Sequence, residues 1–217
     1  MSKTIPKLNK LNNPESFIQV NTIKGFKYVD KAGEIVNAFH KKNIAPQFAM
    51  GLNGLVIEQP KDKIEQLKVT SQVIWEKFSE IDSLDMITTL FSTDVENILK
   101  ILEVEKISRV GWRNYFVYEF SNKEKQDEYL KKFTVIDKTS PSLVRLEIKT
   151  GKDFSANLMI QPVIKNDTDK THGVLFDIDI FQNGEFESKD ISKILKEFRQ
   201  YLSDENGFLG VVNNIFE

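Results

Sequence analysis

The chain has 217 residues, 40% of them hydrophobic and 16 of them phenylalanine, so it can bury a real core and falls outside the charge-rich, apolar-poor class that stays unfolded. Its 30 basic and 32 acidic residues nearly cancel to a formal charge of −2, which leaves no global positive field for nucleic acid; a local patch would be needed. There is no cysteine, which removes disulfides, thiolate metal sites and a cysteine nucleophile, and fits a reducing cytoplasm.

Residues 1–15 hold several lysines but no apolar run behind them, so they read as a flexible arm and not as a secretory signal. No window reaches the roughly 20 consecutive apolar residues that a membrane-spanning helix requires. Residues 17–29, rich in Ile, Val, Thr, Phe and Tyr, read as one or two short strands, and 33–42 as a helix. Between Pro46 and Pro60 the pattern predicts a hairpin turned at Leu52-Asn53-Gly54, because Asn-Gly supplies positive φ angles.

The alternation over 65–75 predicts a strand. Residues 93–104 read as a helix opened by a capping box, Thr93 with Glu96. A long strand over 107–120 then sets Val110, Trp112, Phe116, Tyr118 and Phe120 on one face and Arg109, Gly111, Arg113, Tyr115 and Val117 on the other. A charged helix follows over 123–133, and after it three strands (143–150, 154–164 and 173–181) whose short links predict an antiparallel meander.

Ser188 opens a helix in which Ile191, Ile194, Leu195, Phe198 and Leu202 form one apolar stripe, and 208–216 adds a second, docked helix. The sum is an α+β protein of mostly antiparallel sheet covered by helices, forming one domain over 16–217 or two lobes of 16–121 and 122–217.

Two clusters carry the candidate chemistry. Asp177 and Asp179 stand at i and i+2 on one strand, so both carboxylates project from one face, where they could hold a divalent metal or act as acid and base. The plainer expectation is a solvated face opposite Val174, Phe176, Ile178 and Ile180. Arg109, Arg113 and Tyr115 flank the side-chain gap at Gly111 and could clamp a phosphate or carboxylate beside a ring. The ordinary alternative pairs those arginines with cross-strand acids such as Glu147. His40 and His172 have no ligand spacing, and neither a phosphate-loop pattern nor a Gly-x-Ser-x-Gly elbow occurs.

The segment Arg109-Val-Gly-Trp-Arg-Asn-Tyr-Phe116 is similar to the central Arg-Ile-Gly-Leu-Arg-Tyr signature of a sporadically distributed family of uncharacterised bacterial proteins. The strand Leu175-Phe-Asp-Ile-Asp-Ile180, with the helix after it and Phe216, resembles that family's Leu-Asp-Ile-Asp strand, helix and terminal aromatic. Trp112 at an aliphatic position and Asn114 before Tyr115 depart from the pattern. The resemblance implies a bacterial protein, and the family's patchy distribution implies a role on mobile elements or in phage–host conflict.

The expectation is a cytoplasmic, non-catalytic binding module that uses a sheet face or edge to engage a protein or small ligand, with no cofactor and with a homodimer as one arrangement. The rival is a metal-dependent enzyme acting on a phosphorylated or nucleotide substrate, with Asp177 and Asp179 on the metal and Arg109 and Arg113 on phosphate.

Overall fold

The computed structural model describes residues 11–22, 27–39, 47–58, 64–79, 81, 83–133, 143–163 and 172–216. The strands are β1 Asn12–Thr22, β2 Gln47–Gly51, β3 Gly54–Glu58, β4 Ile64–Val69, β5 Val73–Ser79, β6 Lys106–Phe120, β7 Val144–Ile148, β8 Ser155–Val163 and β9 His172–Glu187. The helices are α1 Lys27–Asp30, α2 Ala32–Phe39, α3 Leu84–Ile101, α4 Lys123–Lys131, α5 Ile191–Ser203 and α6 Phe208–Phe216, with a 3-10 turn at Ser188–Asp190 before α5. The strands hydrogen-bond in the order β2-β3-β4-β5-β1-β6-β9-β8-β7, a large sheet accompanied by helices, and the fold is α+β. Among the described residues no helix is long and apolar enough to cross a membrane.

The chain divides into two compact units, each drawn from discontinuous stretches and not from successive halves. One comprises Glu15–Arg113 and Phe181–Arg199; the other Met1–Pro14, Asn114–Ile180 and Gln200–Glu217.

In the first unit, β2 to β5 form an antiparallel meander, and β5 then pairs antiparallel with β1. Thr70 makes the β4–β5 turn, its hydroxyl accepting from the amides of Gln72 and Val73, which explains why the alternation over 65–75 resolves into two strands. Helix α3 starts well before Thr93, with Ser83 as its N-cap residue. Thr93 lies inside the helix and donates its hydroxyl to the Thr89 carbonyl at 2.9 Å. The predicted capping box is therefore absent, because the buried row Ile87, Phe91, Val95 and Ile98 extends the helical face further back than the local signal at Thr93 and Glu96. Tyr28 and Val29 belong to α1 and not to a strand.

In the second unit, α4 is capped by Asn122, whose side chain accepts from the Lys125 amide at 2.9 Å. Its Gln126 donates to the Gly173 carbonyl and its Tyr129 ring meets those of Phe120 and Phe176. Phe208 of α6 stacks on Phe116 with ring centroids 5.3 Å apart, so the C-terminal helix is docked as expected. Strand β1 begins at Asn12, inside the segment read as an arm; residues 1–10 lie outside those described.

Candidate functional site

The β2–β3 hairpin forms as the sequence predicts, closing at Gly51 opposite Gly54. The positive φ sits on Gly54, at 129°, while Asn53 keeps an ordinary backbone. Such a tight reversal needs glycine there, since an added Cβ would lie 2.6 Å from the Val69 carbonyl oxygen. Tyr28 reaches over from α1 and donates its hydroxyl to the Leu52 carbonyl at 3.5 Å.

Residues directly opposite one another in an antiparallel ladder share a face. Following the ladders outward from β1, one rung runs Val20, Ile74, Val69, Leu55, Met50, and the next runs Ile18, Glu76, Leu67, Ile57, Phe48. The first four members of each rung are fully buried. The last members are not: Met50 is 52% exposed and Phe48 62%. Two rows of core positions thus run off the sheet at its outer strand with their terminal side chains uncovered.

All five residues of β2, Gln47 to Gly51, are exposed, and none is charged. Leu52 at the hairpin tip is fully exposed, and Val29 on α1 is 45% exposed. Natural edge strands are usually blunted by charge, proline or cover, because their free backbone groups and apolar side chains invite pairing. The other outer strand, β7, carries exposed Arg145 and Glu147 on either side of Leu146.

The sequence-predicted residues fall in both units. In the first, Arg109 folds back across Gly111, where an added Cβ would lie 3.5 Å from its guanidinium nitrogens, and stacks on the Phe181 ring at 4.3 Å. It also donates to Asn183 at 3.4 Å. The side-chain gap at Gly111 is therefore used by Arg109 itself, and the expected cross-strand partner Glu147 lies on β7, separated from β6 by β9 and β8. Arg113 is exposed and engaged in an interaction within the fold.

In the second unit Tyr115 and Asp179 are half-buried, and Asp177 is only 3% exposed. The expected solvated carboxylate face is thus absent at Asp177, because β9 is an interior strand of the sheet. All three residues are engaged by neighbours. Among the described residues no three His, Cys, Asp or Glu side chains come together as a metal would require. An open depression of about 360 Å³ has Asn12, Val117, Tyr118 and Glu119 on its wall and neither aspartate. His172 is half-buried at the start of β9, and His40 lies outside the described residues.

No family model and no curated protein matches the chain. The features that sequence reasoning passed over are Phe48 and Met50. Their signal was present: a strand with neither charge nor proline, beside a second whose one charge, Glu58, stands at its end.

Proposed function

We propose that this chain is a non-catalytic interaction module that engages a protein partner through the β2 edge. The observation that supports this reading is the register of Phe48 and Met50, which occupy core rows yet lie open on an uncharged outer strand. Apolar surface of this kind is stabilised by about 25 cal/mol for each Å² removed from water, so a strand added at this edge gains both backbone hydrogen bonds and cover for two large side chains. A cytoplasmic setting fits the cysteine-free composition, and the resemblance carried by Arg109–Phe116 and Leu175–Ile180 supports a role in phage–host conflict or on mobile elements.

Photo-crosslinking in producing cells tests the reading. A benzoyl-phenylalanine replacing Phe48 or Met50 is expected to give discrete protein adducts, while the same residue replacing the exposed Lys196 on α5 gives none. Equal crosslinking at Lys196, or none at Phe48 and Met50, overturns it.

A further inference from the structure

The geometry points to a second copy of this chain as the occupant of the edge, and we propose that β2 pairs antiparallel with β2 of that copy about a two-fold axis through Ala49. The inference rests on the reading of the β2 edge as a contact surface, and it adds the identity of the partner.

Three features of β2 carry it. First, a two-fold that makes neighbouring strands antiparallel runs perpendicular to the sheet, so each residue i faces residue 2k−i of its partner, with k the residue on the axis. In a strand running from Gln47 to Gly51, only k at Ala49 engages all five residues. Second, that register sets Phe48 against Met50 of the other copy, twice. The rung Leu55, Met50 then continues into Phe48 and Ile57 of the second molecule, and the two uncovered core rows close on each other. Third, a self-pairing strand meets its own charges; β2 has none, so no like-charge contact opposes the register.

The buried faces of the two sheets, those carrying Leu55 and Ile57, fall on the same side in this arrangement, because opposite residues share a face. Gln47 meets Gly51 of the other copy at each end, where the glycine leaves room for the glutamine side chain. A five-residue strand from each copy is a small contact, so the dimer is reversible and its population follows protein concentration.

The cysteine-free sequence allows a direct test on this chain. On a two-fold through Ala49 the two copies of that residue face each other with Cα atoms about 4.5 to 5.5 Å apart, inside the range a disulfide spans. Ala49→Cys is expected to oxidise to a covalent dimer under mild conditions, Lys196→Cys is expected to remain monomeric, and adding Phe48→Lys and Met50→Lys to Ala49→Cys is expected to abolish the dimer. Sedimentation velocity on the cysteine-free protein should show a concentration-dependent dimer whose dissociation constant rises by at least about 100-fold in the double lysine variant, since two lysines from each copy, four like charges in all, then meet in an apolar contact.

Both lysine positions are exposed, and unchanged circular dichroism of the monomer separates loss of pairing from loss of fold. A protein that stays monomeric across the micromolar range, or a dimer indifferent to Phe48→Lys and Met50→Lys, overturns the proposal. Heterologous adducts at Phe48 with no self-adduct would reject self-pairing while leaving the edge reading in place.

Discussion

Phe48 stands directly across the β2–β3 ladder from Ile57, on the same rung and the same face, yet Ile57 is fully buried and Phe48 is 62% exposed. The two residues should therefore respond oppositely to truncation. In dilute protein, Ile57→Ala is expected to cost about 2–5 kcal/mol of unfolding free energy, and Phe48→Ser to change it by less than about 0.5 kcal/mol. Urea unfolding of both variants checks this. A Phe48→Ser penalty as large as that of Ile57→Ala would mean that the edge is covered in the isolated chain.

Trp112 donates its indole N–H to the Ser16 hydroxyl at 2.5 Å, with both side chains fully buried in the first unit. The bond lets a large ring with one polar edge sit in an apolar layer, where an unmatched N–H carries its full desolvation cost. Ser16→Ala is expected to lower stability by about 1–3 kcal/mol, and Trp112→Phe combined with Ser16→Ala to cost less than the sum of the two single changes. A double-mutant cycle in urea measures the coupling. Strict additivity would show that the bond adds nothing beyond packing.

The C-terminal helix depends on a close approach that the sequence does not announce. A Cβ added at Gly207 would lie 2.2 Å from the Tyr201 carbonyl oxygen, a backbone atom that no rotamer change can move aside. Phe208 beside it is fully buried against Phe116. Gly207→Ala is expected to cost about 1–3 kcal/mol through backbone displacement, and Phe208→Ala about 3–5 kcal/mol through the cavity it leaves. Thermal unfolding reads both, and wild-type stability in Gly207→Ala would contradict the observed packing.

Much of the architecture was written in local pattern. The alternation along β6 and the stripe of Ile191, Ile194, Leu195, Phe198 and Leu202 each reflect burial of one face, which leaves a periodic trace, and the turn before β3 is marked by the glycine that its positive φ requires. The start of α3 was misread because Thr93 and Glu96 have the capping spacing by coincidence, while Ile87 and Phe91 extend the buried face upstream. Strand order could not be inferred, since it depends on ladders between residues far apart in sequence. That is also why Asp177 read as solvated: one carboxylate among alternating apolar residues looks the same on an interior strand as on an open one. The open edge was hidden for the matching reason. Phe48 and Met50 look like core, and by register they are; only the absence of a further described strand beyond β2 exposes them.

Alkaline pH should uncouple the second unit's core through its tyrosines. Tyr129 and Tyr201 are nearly fully buried, and burial pushes both phenols above the ordinary tyrosine range, because phenolate cannot be solvated there. Tyr201 sits edge-on to Phe154 at 5.4 Å, and among the described residues its hydroxyl has no hydrogen-bond partner. A phenol whose folded pKa exceeds its unfolded value, about 10, holds its proton longer in the native state. Its contribution is fully present below that unfolded value and is lost as pH rises from there through the folded value. Stability is therefore expected to fall above about pH 10, with part of the phenolate absorbance appearing only as the chain unfolds. Tyr201→Phe is expected to be neutral or slightly stabilising at pH 7, to flatten the alkaline decline, and to remove one late-ionising phenol from the spectrophotometric titration. If every tyrosine ionises while near-ultraviolet circular dichroism still reports the native fold, the burial of these two rings does not govern the alkaline limit.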